Sequence, residues 1–375
     1  MNPDIPALLP VFRTLTAGGG PIVLATIVET EGSTYRKPGA RMLIDSKGNW
    51  HGILGGGCFE GDLAERAGEC LARQEGVTVE YDMRGENDLL WGLGLGCDGL
   101  VRILLQPLDP AAGYEPLGWL AALVASGRRG VLATLLRRTG NIPAGASLGV
   151  EADSVTALGI DARAVPGITE AARAHIEARR SARLEVPVGE DTFDLLLTPV
   201  APAPHLLLMG AGPDAVPMAR MARELHWDVT ILDHREALAR PERFPAGCRV
   251  SALEPEALAG ELDLATVSAA VLMTHNFAAD ARWLKAVAER PPTYVGLLGP
   301  ARRRSLLLDE LDEGRRDALD GRTVAPVGLD IGGEMPGSIA LATLAEIHAR
   351  LAGRSAAALH GAPSVHGDSG GPPGR

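Results

Sequence analysis

The chain has 375 residues, 46% hydrophobic and 22% charged, a globular composition with room for two domains and a short tail. Its 36 Lys and Arg against 47 Asp and Glu give a formal charge of −11, which excludes a general affinity for nucleic acid or an anionic membrane, since both need a net basic face. Aromatics are few (5 Phe, 5 Trp, 4 Tyr) and glycine reaches 46, so Leu, Val, Ile and Ala must build the core while glycines serve turns.

No apolar run approaches the ~20 residues of a membrane span. Met1–Thr16 carries neither a basic n-region nor an Ala-x-Ala site, so export is not expected. Cys58, Cys70, Cys97 and Cys248 form no CxxC pair. These features predict a cytoplasmic protein in a reducing compartment, with neither nucleic acid nor membrane as partner.

In chain order, Pro6–Thr16 reads as a short helix closed by Gly18–Gly20, and Ile22–Val28 as a buried strand. Glu31–Arg41 is a turn-forming stretch carrying Arg36, Lys37 and Arg41, followed by a strand over Met42–Asp45 and a hairpin turn over Ser46–Asn49. Gly55-Gly56-Gly57-Cys58-Phe59-Glu60-Gly61-Asp62 opens a helix to about Arg73, with Leu63, Ala67, Cys70 and Leu71 on one apolar face. Strands over Val77–Tyr81 and Val101–Leu105 enclose the glycine-dense loop Trp91–Gly99.

Val23-Leu24-Ala25-Thr26 recurs as Val131-Leu132-Ala133-Thr134, with Gly32 and Gly140 at the same distance beyond, and Gly39-Ala40 is echoed by Gly145-Ala146. A half-domain duplication and a chance match in an Ala/Leu-rich chain are equal readings. The second stretch lacks Tyr35, Arg36 and both cysteine loops, which assigns any chemistry to the first.

Pro199, Pro202 and Pro204 mark a stiff linker. The expected organisation is a mixed α/β domain over 1–198, a linker over 199–204, a Rossmann-like doubly wound domain over 205–353, and a disordered tail over 354–375. The second domain opens with a strand over His205–Met209, then Gly210-Ala211-Gly212-Pro213-Asp214-Ala215, a helix to Leu225 and a strand over Val229–Asp233. Gly210 permits the tight turn, Gly212 lets a phosphate approach, Ala215 packs helix on strand, and Asp233 stands where a ribose-binding acid belongs. Pro213 removes an amide and Asp214 would repel a phosphate, so a nucleotide site and a vestigial one are even readings. Strands over Ala269–Thr274 and Tyr294–Leu298 continue the alternation and predict a parallel sheet. His275 follows a strand's carboxyl end, as a base, a hydrogen-bond donor or an ordinary solvent-facing side chain.

Cys58, at a helix start, has amides and a positive helix end that favour a thiolate, and the Gly55–Gly57 turn offers the same field to a phosphate. A buried corner cysteine is the alternative. Cys97 adds a second soft ligand in a second glycine loop, whereas Cys70 and Cys248 read as structural. Arg36, Lys37 and Arg41, with the hydroxyls of Ser33 and Thr34, suit phosphates. No Walker loop, HExxH or nucleophile-elbow Ser points to a kinase or hydrolase, and no residue is assigned as catalytic.

With these residues in view, the chain resembles the XdhC/CoxI family, accessory proteins of molybdenum hydroxylases such as xanthine dehydrogenase. Glu31–Met42, Gly55–Leu63 and Trp91–Gly99 carry the resemblance, together with Gly210-Ala211-Gly212, Thr274-His275 and Gly328–Gly332. It implies a chaperone that binds the molybdenum cofactor as molybdopterin or its cytosine dinucleotide, supports sulfuration by a cysteine desulfurase, and inserts the cofactor into an apo-molybdenum hydroxylase. It further implies a homodimer. Cys58 and Cys97 would meet the metal end, Arg36, Arg41, Ser33 and Gly55, Gly56 and Gly57 the anionic tail, and Gly210, Gly212, Asp233 and His275 a nucleotide. The alternative is an NAD(P)-dependent oxidoreductase or redox-sensing nucleotide-binding protein that uses the Rossmann half.

Overall fold

Leucine- and β-branched-rich runs bounded by glycine set the strands of the computed structural model, which describes residues 4–57, 59–84, 99–138 and 144–360. The chain divides into two compact units, and the division falls between Pro202 and Ala203.

The first unit opens with the helix Asp4–Ala17 and the strands β1 (Ile22–Gly32), β2 (Arg41–Asp45), β3 (Trp50–His51), β4 (Val77–Asp82) and β5 (Gly99–Leu108). These lie in the order β3-β2-β1-β5-β4. The strands β6 (Gly130–Arg138), β7 (Ser147–Glu151), β8 (Val155–Leu158), β9 (Ala182–Val188) and β10 (Asp191–Val200) form a second sheet in the order β8-β7-β6-β10-β9. Each sheet has a helix between its third and fourth strands, Glu60–Arg73 in one and Val165–Arg173 in the other.

The match extends to single residues and decides for duplication. Thr26 pairs with Arg41 and Thr134 with Ser147. Gly39 N donates to Ile27 O at 2.8 Å and Gly145 N to Leu135 O at 2.8 Å, with φ at +94° and +103°. Register slips once in each copy, at Val28 against β5 and at Leu136 against β10. A bulge pushes its extra residue out of the ladder. Val28 and Leu136 accordingly pack together with Leu104 and Leu196, the equivalent positions of β5 and β10, in one buried cluster between the copies. Charge does not follow the symmetry. Glu29 pairs with Arg102 at 2.8 Å in the first copy, while the counterparts Arg137 and Asp194 pair at 3.4 Å with signs reversed. Arg183 reaches both Glu29 and Asp194 at 2.7 Å.

Pro199 and Val200, expected in the linker, belong to β10. The β9 ladder stops at Leu197 while the β6 ladder continues to Val200, so Pro199 sits where β10 has one neighbour and a missing N–H is tolerated.

The second unit is a parallel sheet of β11 (His205–Met209), β12 (Asp228–Asp233), β13 (Arg249–Ala252), β14 (Ala269–Leu272), β15 (Tyr294–Leu297) and β16 (Thr323–Val324), ordered β13-β12-β11-β14-β15-β16. Alternate residues of β11 face opposite ways. Leu206 and Leu208 pack on the helices Ala215–Glu224 and Pro336–Ala352 through Met218, Ala219 and Ile347. Leu207 and Met209 pack on the helix Phe277–Val287 through Trp283, Leu284 and Val287. This is the expected doubly wound arrangement. Among the described residues no helix is long and apolar enough to cross a membrane.

Candidate functional site

In the first unit the turn Ser33–Tyr35 touches two of the other motif segments. A Cβ at Gly99, the last residue of the second glycine loop, would lie 2.7 Å from Thr34 Cγ2 and against the Ser33 carbonyl, so only glycine fits there. The Tyr35 ring, more than half exposed, lies 3.7 Å from the place of a Cβ on Gly56. Cys58 and Cys97, the residues expected to hold a metal end, lie outside the described residues. Ser33 is exposed on this turn. The Thr34 hydroxyl is committed, donating to Arg36 O at 3.0 Å and accepting from Lys37 Nζ at 3.1 Å.

The Gly55–Gly57 turn holds an anion of its own. Glu60, at the first helical position, folds its carboxylate back so that Oε1 accepts from Leu54 N at 3.0 Å and Gly55 N at 2.7 Å. Its Oε2 accepts from Gly57 N at 3.0 Å and Phe59 N at 3.2 Å. Glu60 is fully buried. The amides of Gly55 and Gly57, expected to address an anionic tail, are therefore not open to one. An acid directly after a glycine-rich turn at a helix start was the signal for this role.

Arg36 and Arg41, expected to address an anionic tail, both bond to Asp4. Arg36 Nη2 is bound to Asp4 Oδ1, and Asp4 Oδ2 accepts from Arg41 N at 3.2 Å. Arg41 is 2% exposed. Its Nη1 donates to Gly39 O at 3.2 Å, while Nε and Nη2 are buried and have no partner among the described residues. Burial lowers its pKa to about 10, against the attraction of Asp4, so it stays a cation at neutral pH. A buried guanidinium with two unsatisfied nitrogens fits an anionic group.

Cys70 is structural: Sγ is 3.2 Å from Glu75 O, and burial pushes its thiol up to about 11. Cys248 is half-buried and packs against the core of the second unit, and burial raises its thiol too. Among the described residues no group of three or more His, Cys, Asp or Glu is placed to hold a metal.

In the second unit the Gly210 turn closes on the ends of β11 and β12, with Gly210 N donating to Leu232 O at 2.8 Å. Asp233, expected to receive a ribose, is fully buried with both oxygens in use. Oδ2 accepts from Ala211 N and Arg235 Nη2 at 2.8 Å each, and Oδ1 from Arg235 N and Nε at 2.9 Å each. In the described fold these bonds tie the glycine turn to β12, and the Arg235 guanidinium engages the carboxylate expected to meet a ribose. Beyond Gly212, Asp214 Oδ2 lies 2.7 Å from His275 Nε2, and the His275 side chain is 61% exposed. Past β14, Asp280 accepts from Thr274 Oγ1 at 2.6 Å and from Arg303 Nη2 at 2.8 Å, a buried brace with no separate sequence signal.

Comparison with known proteins matches the XdhC Rossmann domain to residues 206–347 and the XdhC and CoxI family to residues 15–82. A probable xanthine dehydrogenase subunit of Bacillus subtilis (strain 168) is 31% identical over 327 residues, covering 87% of this chain and 92% of that protein. The molybdenum cofactor insertion chaperone PaoD of Escherichia coli (strain K12) is 25% identical over 338 residues, 89% of this chain and 85% of PaoD. A crystal structure described as a xanthine dehydrogenase from Bacillus halodurans superposes with a TM-score of 0.76 at 27% identity, covering 96% of this chain and 98% of that one. The first-unit motifs, the parallel sheet of the second unit and a relative of this identity along most of both lengths lead to one assignment: the chain belongs to the XdhC/CoxI family.

Proposed function

We propose that the protein is a maturation chaperone that binds the molybdenum cofactor in its first unit, supports its sulfuration and inserts it into a molybdenum hydroxylase of the xanthine dehydrogenase type. The observation that carries this reading is the turn Ser33–Tyr35, which abuts both Gly56 and Gly99, residues of the two glycine-cysteine loops. One turn thus touches Gly56 and Gly99, neighbours in sequence of Cys58 and Cys97, and the same unit holds Arg41, a buried cation with two nitrogens unpartnered among the described residues. Such a set suits a ligand with an anionic tail at one end and a sulfur-bound soft metal at the other. In this reading Cys58 and Cys97 meet the metal end and Arg41 the anionic end, while the Gly55–Gly57 turn acts through Glu60 as a rigid base. The names of the relatives support a cofactor-insertion role. The remaining partners in this reading are a cysteine desulfurase, an apo-hydroxylase and a second copy of the chain.

Retention of the cofactor tests it. Full-length protein is incubated with molybdenum cofactor and desalted, and bound pterin is read as fluorescence after oxidation. The wild type retains the cofactor, and Cys58→Ala loses it with an unchanged melting temperature. A wild type that retains none, or a Cys58→Ala protein that retains as much, overturns the reading.

A further inference from the structure

In a doubly wound sheet a nucleotide diphosphate sits over the second glycine of the first turn, against the amides of the following helix. Here the Asp214 carboxylate occupies that place. Its Oδ1 lies 2.5 Å from the position of a Cβ on Gly212, so the space opened by the missing side chain is filled by the chain's own anion. That oxygen is buried and has no hydrogen-bond partner among the described residues.

Oδ2 is held by His275 Nε2 at 2.7 Å. His275 follows β14, and β11 has β12 on one side and β14 on the other, so the pair spans the crevice where the strand order changes direction. His275 adopts φ +60°, an uncommon conformation for a residue with a side chain, and in it the imidazole meets the carboxylate. The second contact that a dinucleotide needs is also taken, since Arg235 covers both oxygens of Asp233. The residues therefore do not fit a nicotinamide or flavin dinucleotide.

We propose that the Asp214 carboxylate is an internal stand-in for a nucleotide diphosphate, latched by His275, which shuts this crevice to dinucleotides. Among the described residues, withdrawing it breaks the bond to His275 and leaves the glycine turn and a free imidazole at an emptied anion site. The ligand class of the opened site is a diphosphate, because the glycine turn at a helix start and the imidazole remain, while Asp233 stays covered.

The test uses full-length protein with ADP, read by calorimetry, and NADH, read by fluorescence. Wild type shows no saturable binding of either at millimolar concentration. Asp214→Ala binds ADP at least about tenfold more tightly than wild type, a change of about 1.4 kcal/mol. Asp214→Asn keeps the side-chain volume and removes the charge. A gain in both variants assigns the exclusion to charge, and a gain in Asp214→Ala alone assigns it to volume; either supports the proposal. Wild type that binds ADP or NADH as tightly as the variants overturns it. So does a pair of variants with wild-type circular dichroism and melting temperature that bind neither probe.

Discussion

Arg41 and Glu60 are both fully buried charges of the first unit, and their surroundings oppose each other. Glu60 is satisfied by four backbone amides, so it acts as a structural anion for the loop that precedes it. Glu60→Ala leaves those amides without their acceptor. We expect a loss of roughly 3 kcal/mol or more in urea unfolding. Among the described residues Arg41 has one side-chain bond, to Gly39 O, and two nitrogens without a partner. Keeping a guanidinium buried with two nitrogens unpartnered among the described residues costs stability that an apolar side chain of similar length does not. Arg41→Met is therefore expected to melt at or above the wild-type temperature in scanning calorimetry while losing cofactor retention. A melting temperature that falls by several degrees would assign Arg41 to structure instead. The counterpart in the second copy is Ser147, whose Oγ caps Gly145 O at 2.9 Å and does the carbonyl-capping part of the work with no charge.

At the scale of elements, the two copies of the first unit meet through bulge residues and their partners, Val28, Leu136, Leu104 and Leu196. Leu104 and Leu196 are each 1% exposed and occupy equivalent positions. Each change to Ala is expected to cost about 3 kcal/mol, and the two losses to agree within about 1 kcal/mol, as read by chemical unfolding. Strongly unequal losses would show that the copies do not share this cluster evenly. Legibility in the sequence follows the range of each interaction. Strands such as Ile22–Val28 and the Gly210 turn were readable because length, apolarity and turn chemistry are local properties. The Val-Leu-Ala-Thr echo hinted at the duplication, but bulges at Val28 and Leu136 depend on ladder register against distant strands. β3 has two residues and β8 is almost wholly exposed, so neither carries a hydrophobic period. Pro199 misled because its tolerance in β10 depends on where β9 ends. The site motifs were visible singly. Their meeting at Ser33–Tyr35 was not, since it is made by Gly56 and Gly99, which are far apart in the sequence of the first copy.

For the molecule as a whole, acid stability rests in part on His205 in the first strand of the second unit. It is 4% exposed, with Nε2 2.8 Å from Thr230 Oγ1 and Nδ1 3.3 Å from Thr266 Oγ1. Burial, then the nearby Arg249, lowers its pKa to about 4. The folded chain thus holds a neutral imidazole where the unfolded chain protonates at about pH 6.5. This contribution is complete above about pH 6.5 and is lost as pH falls toward 4, because the unfolded state then binds the extra proton. The expected loss is about 3 kcal/mol between urea titrations at pH 7.5 and pH 4, and a His205→Gln chain should show a correspondingly smaller decline. An identical decline in both proteins would remove His205 from the account. The reversed ion pairs of the first unit bear on a different matter, the loyalty of a chain to itself. Arg183 binds Glu29 across the copies, and the position matching Arg183 in the first copy is Thr78. Two first copies from separate molecules would set Glu29 against a threonine, and two second copies would set Arg137 against Arg183. The bridge forms only between unlike halves. On a crowded surface of newly made chains, a half that strays finds its proper complement in only one of the two halves of a neighbour, while its own remains tethered a short loop away.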